Sequence, residues 1–171
     1  MARVPSRLVC RPTTPDDLEF VIATERADDS ADFVLPWSHD QHLAALGDAN
    51  TAHWILEAED GGRRAIGFVI LAGVDPPGGT VEFKRIVVRE KGAGLGREAV
   101  RLVKREVFER YQAHRLWLDV FEHNQRARTL YVSEGFTVEG ILREHVERHG
   151  ERRSLVLMSM LNREYCGRVA P

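Results

Sequence analysis

Cysteine is scarce. The chain of 171 residues has two, Cys10 and Cys166, in regions too far apart to suggest a metal knuckle or a disulfide framework, and that usage fits a reducing cytoplasm. Excess positive charge is missing as well. A formal net charge of -2 gives no basic field for nucleic acid. Long apolar runs are absent too: the longest, Ile66 to Val74, is well short of the roughly 20 residues that a membrane-crossing helix needs. The first ten residues carry no apolar leader core. No repeat, low-complexity tract or linker is visible. A composition of 43% hydrophobic and 29% charged residues is that of an ordinary globular chain, so one cytoplasmic domain over 1–171, with neither nucleic acid nor membrane as partner, is expected.

Leu8 to Arg11 reads as a short first strand. Thr14 before Pro15, Asp16 and Asp17 is a helix start, with proline at the first helical position and acids in the first turn. Ala27 to Trp37 has no clear period, so a loop or broken helix is expected there, and its acids Asp28, Asp29 and Asp32 read as a charged surface loop. Ser38 to Gln41 forms a capping box for a helix through Leu46. Ala52 to Glu59 and Ala65 to Leu71 are strands around the Asp60-Gly61-Gly62 turn, and a second turn at Asp75 to Gly79 leads to a third strand. Tight turns between consecutive strands make an antiparallel meander.

The chain is organised around Val81 to Tyr131. Val81 to Val88 is a β-branched strand. Arg89 to Arg97 is a glycine-rich turn, and a helical pattern from about Leu95 to Tyr111 carries the apolar stripe Ala99, Val100, Leu102, Val103, Val107 and Phe108. Arg115 to Val120 is the next strand. Asn124 then caps a short helix that ends at Gly135. Strand, glycine turn and helix start together suit an anionic ligand, because glycine lets backbone approach it and free helix N–H groups attract it. Phe136 to Leu142 and Ser154 to Leu161 read as two further strands, joined by a solvated charged connection from Arg143 to Arg153. The sum is an α+β fold with a mixed, mostly antiparallel central sheet of about six to seven strands and helices on both faces.

Three readings of the glycine turn compete. A plain turn does not need glycine at 92, 94 and 96, flanked by Lys91 and Arg97. A dinucleotide fold is favoured by Gly94-Leu95-Gly96-Arg97-Glu98-Ala99 and by Asp119 at the end of the next strand. Against it stand the basic loop between Val88 and Gly94 and the meander, which cannot build a doubly wound sheet. In the third reading, Lys91-Gly92-Ala93-Gly94-Leu95-Gly96 resembles the coenzyme A signature Gln/Arg-x-x-Gly-x-Gly/Ala of the GNAT N-acetyltransferases, with lysine at its first position. Leu116 to Phe136 is similar to that family's downstream segment, with Asn124 opening a helix, Ala127 and Tyr131 four apart, and a closing Gly135-Phe136. Glu139-Gly140, Arg143-Glu144 and the final Leu/Met strand look like the ribosomal-protein-alanine and spermidine acetyltransferase branch.

That resemblance covers nearly the whole chain. It implies acetyl-CoA as cosubstrate and a small-molecule or peptide primary amine as acceptor, in a monomer or homodimer. The family splays the Val81 strand from its neighbour, so that Ile86, Val87 and Val88 pair with the pantetheine arm. Lys91, Gly92, Ala93, Gly94, Leu95, Gly96 and Arg97 then hold the pyrophosphate, and Asn124 lies near the pantetheine. Tyr131 matches the general acid for the leaving thiolate, while Glu82 and Asp119 are the candidate bases. The rival is a non-catalytic acyl-CoA-binding or regulatory module of the same fold. No metal is expected: His145 and His149, four apart, lack a third ligand, and His39 and His42 are similarly isolated.

Overall fold

The computed structural model describes residues 7–59, 61–90 and 94–169. Strand β1 (Arg7–Pro12) leads through the turn Pro15–Asp17 into helix α1 (Leu18–Glu25). The Asp17 carboxylate closes that turn by accepting from the Thr14 N–H at 2.8 Å. It also takes the Arg11 guanidinium at 2.7 and 2.9 Å. One helical turn, α2 (Asp28–Ala31), precedes the irregular stretch to Trp37, as the missing period implied. In α3 (His39–Leu46) the Ser38 Oγ accepts from Gln41 N–H while Gln41 Oε1 accepts from Ser38 N–H, two otherwise orphaned donors satisfied reciprocally.

Strands β2 (Thr51–Glu59), β3 (Arg63–Ala72) and β4 (Thr80–Val88) form the expected meander. Helix α4 (Leu95–Arg105) continues as one wider turn, Glu106–Arg110. Then follow β5 (Arg115–Phe121), α5 (Gln125–Ser133), β6 (Thr137–Arg148), β7 (Glu151–Leu161) and α6 (Asn162–Val169). The seven strands are ordered β1-β2-β3-β4-β5-β7-β6. Every neighbouring pair is antiparallel except β4 and β5, which are parallel.

The period-2 alternation of the meander divides its side chains between two cores. Trp54, Leu56, Val69, Leu71, Val81 and Phe83 face one side, where the whole predicted stripe of α4 is buried against them. Ile55, Phe68, Ile70 and Val87 face the other, under Val21 of α1. Each fully buried aliphatic chain is worth roughly 1.5–3 kcal/mol, so the broad stripe, more than helix propensity, fixes α4 on the sheet. Gly67 is demanded by packing: a Cβ there would sit 2.1 Å from the Val87 carbonyl oxygen. Only glycine lets β3 lie this close to the end of β4.

Two elements differ from the sequence reading. Arg143 to Arg153 is not a solvated connection but the two arms of a β6–β7 hairpin, turned at His149 (φ 52) and Gly150 (φ 76). Both faces of these arms are polar, which erases the alternation that marks a strand. Cross-strand charge holds them instead, as in Arg152 with Glu147 at 3.3 Å. His145 and His149 therefore share no helical face. Helix α6 is additional. Its sequence has no apolar period, and it is pinned by Glu164 accepting from the Leu161 N–H at 2.8 Å and by Tyr165 stacked on Phe108 at 4.9 Å.

Beneath α1 and α3 lies a buried polar chain. Glu25 Oε2 is 3.2 Å from His42 Nε2, His42 Nδ1 is 3.1 Å from His53 Nε2, and His53 Nδ1 is 2.9 Å from Thr13 Oγ1. With Glu25 ionised, each link can take one proton: Thr13 donates to His53, His53 to His42, and His42 to Glu25. Burial, then His42, holds the His53 imidazole down at about 4. The unfolded chain would take up that proton first as pH falls, so stability should drop between pH ~6.5 and ~4 by about 3 kcal/mol and level off below. Urea unfolding across this window checks it. The wild type should lose stability more steeply than His53→Gln, and parallel curves would refute the assignment.

Candidate functional site

Where β4 meets β5 the sheet opens. Pairing runs only over Thr80↔Arg115, Val81↔Leu116 and Glu82↔Trp117, while β4 continues to Val88 and β5 to Phe121. The cause is visible on the other edge of β4. There Phe83 opposes Leu71 and Arg85 opposes Ile70, which leaves Lys84 as a bulge residue, and a bulge bends its strand and increases the twist. Phe83 to Val88, which includes the predicted contacts Ile86, Val87 and Val88, thereby gains an edge unpaired with β5. This is the splay that the resemblance implied.

The far end of β4 leads to the glycine turn. Lys91, Gly92 and Ala93 lie outside the described residues. Gly94 is the N-cap of α4 at φ 77, a left-handed conformation suited to glycine, and among the described residues a Cβ built on it meets nothing within 4 Å. Gly96 is different. It has ordinary helical backbone, and among the described residues off its own helix a Cβ there would meet Leu130 Cδ2 at 3.8 Å. Among the described residues, both glycines thus leave room beside the first turn of α4, where helix N–H groups lack intrahelical partners. Arg97 is already engaged: its N–H donates to Gly94 O at 3.0 Å, and its guanidinium reaches Glu134 at 2.6 Å.

Glu134, which the sequence reading missed, pairs with Arg97, Arg101 and Lys104 of α4. Although burial raises its carboxyl, hydrogen bonds from Lys104, Arg97 and Arg101 outweigh this and hold it at about 2. Lys104 Nζ lies 2.9 Å from Glu134 Oε2 and 2.9 Å from its carbonyl oxygen. These contacts tie the end of α5 to the middle of α4. The only available signal was the excess of cations on one face of α4, which reads equally well as solvated surface.

Helix α5 carries the remaining side chains. Asn124 Oδ1 accepts from the Ala127 N–H at 3.2 Å, confirming the cap. Tyr131 is buried between Phe83 and Phe136, with ring centroids 6.2 and 5.6 Å away. Burial, reinforced by the charge of Asp119, pushes its phenol well above the ordinary range. Glu82 stands at the fork with Lys84 Nζ 3.4 Å from both of its oxygens. Across the fork, desolvation raises the Asp119 carboxyl and Glu82 raises it further, against Lys84 and His145. Tyr131, Glu82 and Asp119 therefore converge where the strands part. Among the described residues no group of three or more His, Cys, Asp or Glu could hold a metal ion, and no helix is long and apolar enough to cross a membrane.

Comparison with known proteins bears on this arrangement. The family model described as an acetyltransferase (GNAT) domain matches residues 7–137. The spermidine N(1)-acetyltransferase of Escherichia coli K12 is 25% identical over 166 residues, covering 91% of this chain and 86% of that protein. Among solved structures, the spermidine N-acetyltransferase of Vibrio cholerae in complex with CoA and spermine superposes with a TM-score of 0.82 at 22% identity, over 94% of this chain and 98% of the other. A structure of the V. cholerae enzyme described as dodecameric gives 0.80 at 23% identity, over 96% and 99%. The splayed parallel pair, the glycine turn at the start of α4 and the match over most of the chain lead to one conclusion: this chain belongs to the GNAT acetyltransferase family, and its activity is acetyl-CoA-dependent N-acyl transfer.

Proposed function

We propose that the acceptor is a polyamine and that its reacting amine enters at the β4–β5 fork. The observation that carries this reading is the acid pair there. Glu82 lies close enough to Asp119 for its charge to disfavour ionisation of that carboxyl, with Lys84 as the nearby counter-charge. A cationic ligand relieves that repulsion. The relatives named spermidine acetyltransferases support the same acceptor class.

In this reading the pantetheine arm pairs with the free edge of β4 at Ile86, Val87 and Val88, as an added strand would. The amides of the turn from Lys91 to Gly96 hold the pyrophosphate at the start of α4, the Arg97 N–H being taken by Gly94 O, and Asn124 flanks the arm. The open space at Gly94 and Gly96 fits this role. Before attack the ammonium must lose a proton. Asp119, whose carboxyl is raised by desolvation and by Glu82, is the base in this reading, acting directly or through a water, while Glu82 keeps the amine at the fork. The neutral nitrogen forms a bond to the thioester carbon, and the carbonyl electrons move to oxygen, which accepts a hydrogen bond from a backbone N–H of β4 near Val87. When the C–O double bond reforms, the C–S bond breaks, the sulfur leaves with its electron pair, and the nitrogen, made cationic by the attack, gives its second proton to water. Tyr131 donates to that thiolate.

An acceptor panel tests the substrate class. With saturating acetyl-CoA, spermidine should show a kcat/KM about tenfold or more above a monoamine of similar length, since one further charge contact of modest strength is worth roughly 1–2 kcal/mol. Added salt should narrow the gap. Equal turnover of both amines, insensitive to salt, would defeat the polyamine assignment.

A further inference from the structure

The segment 31–37 bridges the open side of the splay. On the β4 side, Arg85 Nη2 donates to the Leu35 carbonyl at 2.5 Å, and its guanidinium stacks 4.9 Å above the Trp37 ring. On the β5 side, the Phe33 ring lies 5.5 Å from His123, which itself lies 5.3 Å from Phe121. On the β6 side, Arg148 donates to the Ala31 carbonyl. The segment is thus a strap over the fork, and Arg85, one residue after the Lys84 bulge, is its anchor on the strand that faces the thioester.

Arg85 is itself held by one buried carboxylate. Its Nη1 donates to Glu25 Oε1, and the two side chains are 8% and 0% exposed. The other oxygen of Glu25 accepts from the Trp37 N–H at 3.1 Å and lies 3.2 Å from His42 Nε2. Glu25 therefore gathers β4, α3 and the strap at one point. Burying this much charge is a poor route to stability alone, because an apolar pair of similar volume often serves as well or better. Fixing one geometry is what such a network does and an apolar pair does not.

We propose that Glu25 is a positioning residue for acyl transfer: through Arg85 it sets the strap 31–37 over the β4–β5 fork and so defines where the acceptor amine sits. This rests on the acceptor entering at the fork but not on which amine it is. Acetyl-CoA binds along β4 and the glycine turn, so its affinity should be independent of the network. The acceptor constants should not be.

The test uses the full chain and the amine with the highest turnover in the panel. Glu25→Gln should raise the acceptor KM about tenfold or more and lower kcat, with the acetyl-CoA Kd within about twofold of wild type. Arg85→Lys keeps the charge but loses the fork to Leu35, and it should show the same split. Leaving one buried charge unpaired can unfold the single variants, so the double variant Glu25→Met with Arg85→Met removes both charges. It should regain stability and still show the high acceptor KM. A double variant with wild-type acceptor constants, or single variants that fold with unchanged KM, would overturn the proposal and leave the network purely structural. Glu82→Gln reads the fork itself. If it leaves acceptor kcat/KM intact, the entry site is wrong; if it lowers kcat/KM while Glu25→Gln does not, only the positioning role is lost.

Discussion

Gly96→Val should weaken acetyl-CoA binding by about a hundredfold while leaving the fold intact. The structure separates the two effects. Gly96 has ordinary helical backbone, and among the described residues off its own helix a Cβ there meets only Leu130, at an ordinary contact distance of 3.8 Å, so α4 keeps its apolar stripe. Substitution at Gly94, with φ 77, would add left-handed strain of order 1 kcal/mol and blur the result. The branched side chain at 96 would project into the open space beside the first turn of α4. If the pyrophosphate takes the N–H groups there, the valine methyls hold it away, and losing two or more charge-assisted hydrogen bonds at roughly 1.5–3 kcal/mol each accounts for the loss. Calorimetry on the folded variant, with circular dichroism to certify the fold, is the check. Unchanged affinity would mean that the turn does not cradle phosphate.

Tyr131→Phe should lower kcat by roughly 10²–10⁴, the usual worth of a positioned acid, with acetyl-CoA affinity nearly intact. The ring packs between Phe83 and Phe136, and phenylalanine keeps that packing. A model thiol titrates near ~8.5 and a free tyrosine near ~10, so the phenol is the weaker acid even before burial. Burial and Asp119 then raise it further. Tyr131 consequently stays protonated throughout the working range and never competes as an anion. Its contribution is a hydrogen bond that strengthens as negative charge builds on the departing sulfur, with the proton following the charge. A near wild-type kcat would make Tyr131 a packing residue and leave protonation of the thiolate to water.

The legibility of the chain follows from what each residue type encodes locally. Val81 to Val88, the glycine turn, the α4 stripe and the Asn124 cap were readable because β-branching, glycine spacing, a period of 3.6 and an Asx cap are short-range signals. The Lys84 bulge was not. It is a register shift between β3 and β4, set by pairing across strands, and it decides that the sheet opens at Glu82. The arms of β6 and β7 beyond Leu142 were hidden because charge covers both faces. Most hidden was the Glu25, His42, His53 and Arg85 network, whose members are up to 60 positions apart. Each looks like ordinary surface chemistry in sequence, and His42 in particular read as an isolated histidine. Only the folded chain shows that all four are buried against one another. Of the acids named in the Ala27 to Trp37 segment, the side chains of Asp28 and Asp29 lie outside those described, so the structure assigns them no role.

The most direct test is the initial rate of free-thiol release from acetyl-CoA in the presence of spermidine, with acetylated amine quantified in parallel. The wild type is compared with the Glu82→Gln, Asp119→Asn double variant. An acceptor site at the fork predicts one acetylated amine per thiol in the wild type. In the double variant it predicts a fall in kcat/KM for spermidine of at least about a hundredfold, the scale of losing a positioned base, with unchanged acetyl-CoA affinity. Thiol release without acetylated amine, or a double variant that turns spermidine over like the wild type, would contradict it.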